Sequence, residues 1–190
     1  LVKGLRILKK KEKNNFFIAK EAIHIEQNLN KERVGCQDQI SCAMGGLSFV
    51  IYSKNNINHR KLNINKKRLK NLTSNLLLFY TGKTRFADKV LKEQTKRNKL
   101  GKNDIYLDRI NKITTKSLKI LNDTKSNLSL IGKLMDESWK LKKKLSSKVS
   151  NKSIDTYYNL AIRAGAVGGK ILGAGSGGFL IFYVPKKKTS

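Results

Sequence analysis

The stretch GAVGGKILGAGSGGFLIFYV, Gly165 to Val184, decides how the rest of this 190-residue chain is read. Seven of the chain's fourteen glycines fall between Gly165 and Gly178. A run of that density costs backbone entropy unless the chain needs positive φ angles or must bring its main chain very close to something. Phosphate is the usual visitor, because successive exposed N–H groups form an anion cradle. The apolar run Phe179 to Val184 reads as a strand holding the loop against a core. Gly173, Gly175 and Gly178 also satisfy G-x-G-x-x-G, but the dinucleotide fingerprint needs a helix after the loop and an acidic residue about 20 positions on. Here a strand follows and no acidic residue occurs downstream. Nicotinamide or flavin binding of that type is not expected, and the loop is expected between two extended segments. A membrane span is not expected either: Ala164 to Val184 carries only Lys170 as a charge, yet its glycines and the following Pro185 suit a loop and a buried strand better than a lipid-facing helix.

Formal net charge is +28, from 41 Lys+Arg against 13 Asp+Glu. Such an excess ordinarily points to nucleic acid. It is mostly lysine, travels with abundant asparagine and isoleucine, and accompanies no RNP, zinc-finger or arginine-rich signature, so a solvated basic surface is the expectation and nucleic acid is not. Cys36 and Cys42, the only cysteines, make neither a zinc quartet nor a disulfide framework, which suits a reducing cytoplasmic compartment. The N-terminal LVKGLRILKKK has no uninterrupted apolar core or cleavage site of a secretory signal.

Along the chain, Val2 to Lys11 reads as the end of an amphipathic helix. Ile18, Ala22, Ile25 and Leu29 recur at helical spacing and predict a helix over Phe16 to Asn28. Gly35 to Gln39 is expected as a polar loop leading into the small residues Ile40 to Met44 and the turn Gly45-Gly46. Leu47 to Tyr52 and Ile57 to Ile64 read as a hairpin across Asn55-Asn56. Leu76 to Tyr80, wholly apolar, is expected as a central strand. From Phe86 to Lys144 the pattern is helical and basic, with apolar sets beginning at Ala87 and Val90, at Ile110 and Ile113, and at Leu128 and Ile131. Ile154 to Ala164 forms the last helix. This order of elements is an α+β arrangement.

Two acids stand out beside the loop. Glu26 lies near the C-terminal end of its helix, where the macrodipole disfavours a carboxylate. Asp38 follows 12 residues later in a polar segment. An anion cradle, a carboxylate to hold Mg²⁺ and a carboxylate to deprotonate an attacking hydroxyl are together the requirements of phosphoryl transfer.

These residues carry a resemblance. AKEAIHIEQ at Ala19 to Gln27, GCQDQISCAMGGL at Gly35 to Leu47, LLLFYTGKTRFA at Leu76 to Ala87, LMDESWKLKKKLSSKVSN at Leu134 to Asn151 and GGKILGAGSGGFLIFYVP at Gly168 to Pro185 resemble, in order, the C-terminal part of the GHMP-superfamily small-molecule kinases. Within that group the similarity is greatest to the D-glycero-D-manno-heptose 7-phosphate kinases. The resemblance implies an α+β fold in which residues 1–65 are the end of the ribosomal-protein-S5-like N-terminal kinase domain and residues 66–190 a ferredoxin-like C-terminal domain.

By position, the resemblance implies that Asp38 is the catalytic aspartate, Glu26 the magnesium-binding glutamate, and Gly173, Ala174, Gly175, Ser176 and Gly177 the glycine-rich motif that closes over the nucleotide phosphates. Ser176 departs from the pattern, since glycine is commoner there. Gln37, Thr81, Gly82 and Arg85 are the candidates for the sugar side, Arg85 through a guanidinium fork suited to a substrate phosphate. ATP and Mg²⁺ are the implied cofactors, and a small sugar phosphate, with no membrane, the implied partner. Family members also carry a glycine-serine phosphate loop at a helix N-terminus in their N-terminal half. Nothing like it precedes Leu1, and Val2 to Lys11 resembles that helix's continuation, so a missing N-terminal half is expected. The alternatives left open are a GHMP kinase for another sugar and a non-catalytic basic remnant that binds polyanions.

Overall fold

The computed structural model describes residues 2–9, 14–32, 34–53, 56–83 and 88–186, the side chains of 88 and 89 excepted. The chain divides into two units, Leu1–Asn63 and Ile64–Ser190. Lys11, Asn55, Arg85, Phe86 and Ala87 lie outside the described residues.

In the first unit, α1 (Val2–Leu8) lies against α2 (Asn15–His24). Arg6 joins them, donating from Nε and Nη2 to the Glu21 carboxylate at 2.5 and 2.7 Å. Asn14 caps α2 by accepting from the Phe17 N–H at 2.8 Å, and Ile18 and Ala19 are buried beneath it. The predicted helix runs to its expected length, but its last turn, Ile25–Leu29, is a π-helix. Such turns are rare and recur at functional sites. The expected polar loop up to Gln39 is corrected: α3 spans Gln37–Met44, so Asp38 stands in the first turn of a helix. The turn is helical because Ile40, fully buried, seats α3 on α2, and a short segment with one buried apolar residue shows no periodicity to read. β1 (Ser48–Tyr52) and β2 (Ile57–Lys61) then pair antiparallel, from Ser48 opposite Lys61 to Tyr52 opposite Ile57.

The second unit opens with α4 (Lys66–Ser74), an element without a sequence signal because its nine residues, KKRLKNLTS, are charged, amide or hydroxyl side chains with only two leucines between them. Its order comes from two devices. The Asn65 side chain accepts the N–H groups of Lys67 and Arg68. Arg68 then donates to the carbonyls of Ile120, Leu121, Thr124 and Ser126 at and just beyond the end of α6 (Asp104–Asn122), groups a helix terminus otherwise leaves unsatisfied.

After α4 come β3 (Leu76–Tyr80), α5 (Asp88–Lys99), α6, α7 (Ser129–Leu145), α8 (Lys152–Arg163), β4 (Gly168–Ile171) and β5 (Phe179–Tyr183). The three described strands form an antiparallel sheet in the order β3-β5-β4. β3 is therefore an edge strand, not the central one its composition suggested, and Leu77, Leu78, Phe79 and Tyr80 are exposed within the unit. β5 takes the centre because it alone pairs on both sides, and it buries Leu180, Phe182 and Tyr183.

α7 crosses β4 so closely that a Cβ on Gly168 would stand 2.0 Å from the Gly132 carbonyl oxygen, so the crossing requires glycine. The main core gathers Val90, Trp139, Val149, Ile154, Tyr158, Ile171, Leu180 and Phe182. Tyr158 keeps its polar end satisfied there by donating to Asp136 Oδ1 at 2.7 Å, and burial followed by that bond pushes its hydroxyl pKa well up.

Candidate functional site

The glycine loop lies in the second unit, between β4 and β5, as expected from its sequence. The Leu172 N–H donates to the Phe179 carbonyl at 2.9 Å and closes its base. Between them Gly173, Gly175, Ser176 and Gly178 have φ of 67, 118, 70 and 87°, the left-handed half of the map. Gly175 has a further reason to be glycine: a Cβ there would come 2.6 Å from the Val149 carbonyl oxygen.

The loop is held from behind. The Ser176 N–H donates to the Val149 carbonyl at 2.7 Å, and Asn151 Nδ2 donates to the Ser176 carbonyl at 3.2 Å. Lys142 Nζ donates to the Gly173 carbonyl. On the far side the Gly178 N–H donates to the Lys83 carbonyl at 2.9 Å, while the Thr81 N–H and hydroxyl both donate to the Gly178 carbonyl, at 2.8 and 2.9 Å. These bonds occupy three of the loop's carbonyls and two of its N–H groups. The N–H groups of Gly173, Ala174, Gly175 and Gly177 have no partner among the described residues. Four unspent donors on a rigidly tied turn can receive the oxygens of an anion.

Two features of the loop run against stability. Ser176 is a non-glycine residue at positive φ, and its hydroxyl is buried with no hydrogen-bond partner among the described residues. Lys170, just before the loop in β4, is half-buried, and its desolvation lowers the pKa of its ammonium.

Of the sugar-side candidates, Thr81 is buried with its hydroxyl committed to the loop, and Gly82 is exposed at φ 73°. Gln37 is exposed at the first position of α3, and Arg85 lies outside the described residues.

Both acids belong to the first unit. Glu26 is half-buried on the π turn, and Asp38 is exposed in the first turn of α3, where the helix macrodipole favours a carboxylate. Burial pushes the Tyr52 hydroxyl pKa up, and the nearby charges of Cys36 and Asp38 push it further. The Asp38 carboxylate therefore shares its surroundings with the end of β1.

Glu26 has one oxygen, Oε2, accepting from Gln39 Nε2; its Oε1 has no partner among the described residues. No cluster of three or more His, Cys, Asp or Glu side chains occurs among the described residues. A protein cage for a transition metal or calcium is thus absent from them, but Mg²⁺ asks for less. It is commonly bound by one or two carboxylates, several waters and the substrate's phosphates. A single half-buried carboxylate with a free oxygen fits that requirement.

Gln39, Lys142, Val149 and Asn151 were not singled out from the sequence. The amides flanking Asp38 in Gln37-Asp38-Gln39 were the available signal for Gln39. For Val149 and Asn151 it was the pairing of the LSSKVSN segment with the glycine stretch.

Residues 118–190 match the family model described as GHMP kinases C terminal. The chain is 33% identical over 178 residues to a D-glycero-alpha-D-manno-heptose 7-phosphate kinase of Campylobacter jejuni, a match that covers 90% of this chain and 50% of that protein. It is 28% identical over 191 residues to a bifunctional fucokinase/GDP-fucose pyrophosphorylase of Arabidopsis thaliana, covering 94% of this chain and 17% of that one. Among solved structures, the mevalonate kinase of Methanococcus jannaschii superimposes with a TM-score of 0.71 at 26% identity, over 98% of this chain and 54% of the other. The chain thus spans half or less of the length of the Campylobacter and Arabidopsis relatives. No described helix is long and apolar enough to cross a membrane.

Proposed function

We propose that this chain carries catalytic parts of an ATP-dependent sugar-phosphate kinase that transfers a γ-phosphoryl group to the anomeric hydroxyl of D-glycero-D-manno-heptose 7-phosphate. The observation that carries the reading is the glycine loop of the second unit, with four N–H donors left unspent on a turn tied down by Val149, Asn151 and Thr81. The similarity to the Campylobacter heptose kinase supports the choice of sugar.

In this reading residues 1–65 are the end of an N-terminal kinase domain and residues 66–190 the C-terminal one. Within the motif Gly173 to Gly177, the N–H groups of Gly173, Ala174, Gly175 and Gly177 receive nucleotide phosphate oxygens, while Ser176 ties the loop to Val149. Asp38 accepts the proton of the sugar hydroxyl as that oxygen attacks the γ-phosphorus; the bond to the β–γ bridging oxygen breaks, and ADP leaves. Glu26 is the residue that would hold Mg²⁺, which neutralises phosphate charge when bound. Gln37, Thr81, Gly82 and Arg85 are the candidates for recognising the sugar phosphate, Arg85 by pairing with the substrate phosphate.

The test is ADP release from the full chain with ATP, Mg²⁺ and the heptose 7-phosphate, against fucose and mevalonate as competing acceptors. Asp38→Asn removes the base and should lower kcat by about 10²–10⁴-fold, the usual worth of a general base. Equal turnover by the variant would refute the role of Asp38. Preference for fucose or mevalonate would move the substrate while leaving the kinase reading intact.

A further inference from the structure

A buried polar atom without a partner costs a protein about 1–3 kcal/mol, so each one asks for an explanation. The Gln39 amide is such a case in the first unit. Its Nε2 donates to Glu26 Oε2, while its Oε1 is buried and accepts nothing among the described residues. An apolar side chain of the same length would fill the space between α3 and the π turn without leaving an orphaned acceptor. The amide is thus a poor choice for packing, and its one satisfied bond goes to a single oxygen of one carboxylate.

We infer that Gln39 is a positioning residue for Glu26: its amide fixes the carboxylate so that Oε1 is presented to a divalent cation. The inference rests on the reading of Glu26 as the magnesium carboxylate and adds the residue that aims it. Three local features favour this. Glu26 sits on a π turn, whose wider backbone moves its side chain off the register of an α-helix. The loop after it is anchored separately, by Gln27 Nε2 donating to the Val34 carbonyl at 2.8 Å and the Glu32 N–H donating to the Glu26 carbonyl at 2.9 Å, so Gln39 is not needed to hold the backbone. Gln39 also directly follows Asp38 in the first turn of α3, so one rigid turn carries both the proposed base and the group that orients the metal carboxylate. Removing an outer partner of a metal ligand commonly weakens metal binding by about 10–100-fold.

The test compares the full-length chain with Gln39→Met and Glu26→Gln, measuring Mn²⁺ binding by electron paramagnetic resonance, with and without ATP, and Tm by circular dichroism. The expected result is that Gln39→Met raises the Mn²⁺ Kd by about 10-fold or more, with Tm unchanged or higher because the orphaned oxygen is gone. In kinase assays the same variant should need more Mg²⁺ for half-maximal rate while keeping its kcat at saturating Mg²⁺. A Gln39→Met protein that binds Mn²⁺ as the parent does, while Glu26→Gln does not, overturns the inference and leaves the Glu26 reading standing. Weaker binding accompanied by a lower Tm also overturns it, since that is the mark of a structural residue. Equal Mn²⁺ binding by the parent and Glu26→Gln overturns the metal reading of Glu26 and this inference with it.

Discussion

Replacing Ser176 by glycine should make this protein more stable, although it deletes atoms from a buried position. Ser176 has φ 70° and is 2% exposed, with its hydroxyl unpartnered among the described residues. A side chain bearing a Cβ in the left-handed region costs about 1–2 kcal/mol, and a buried hydroxyl without a partner about 1–3 kcal/mol. Glycine removes both. Against this stand a lost methylene's worth of burial, about 0.8 kcal/mol, and the greater freedom of glycine in the unfolded chain, about 0.4–1 kcal/mol. The backbone bonds at this position, from the Ser176 N–H to Val149 and from Asn151 to the Ser176 carbonyl, do not involve the side chain and survive the substitution. The balance favours Ser176→Gly by about 2 kcal/mol, which for a chain of this size corresponds to a Tm rise of about 4–8 °C. Thermal melts followed by circular dichroism, without ligand, measure it. A Tm equal to or below that of the parent would show that the serine hydroxyl is satisfied or that its packing outweighs its strain, and would refute the reasoning.

Gly175→Ala perturbs the neighbouring position in the opposite direction. Its φ of 118° and the 2.6 Å approach of the new Cβ to the Val149 oxygen should cost about 2 kcal/mol or more, read as a lower Tm, and calorimetric titration should show weaker ATP binding; an unchanged Tm would contradict the strain argument. Lys170→Met should raise Tm at pH 7. Burial holds the folded pKa of Lys170 below its unfolded value of about 10.4, so the unfolded chain binds more protons between the two values and stability rises with pH across that window. The penalty is complete below the folded pKa and gone above the unfolded one, so the advantage of Lys170→Met should shrink as pH rises toward about 10.4. A gain equal at pH 7 and pH 10.5 would show that packing, not charge, is responsible.

What the chain's own order of residues determined is whatever depends on near neighbours. The helix over Phe16 to Asn28, the later helices and the glycine loop between two strands were legible because apolar spacing and glycine density act within a few residues along the backbone. The proposal of Glu26, Asp38 and Gly173 to Gly177 as site residues likewise came from motifs in the sequence. Tertiary structure alone decided the rest. β3 is apolar enough for a sheet centre, yet strand order is set by which partners arrive from elsewhere in the chain, and β5 received both. α4 is too polar to announce itself and is held by Arg68 on carbonyls more than 50 positions away. Asp38 became a helical residue because Ile40 found a seat on α2. The bond from Gln39 to Glu26 and the tie of Val149 and Asn151 to Ser176 have the same origin. Each joins groups that only folding brings within hydrogen-bonding distance, and no local periodicity encodes them.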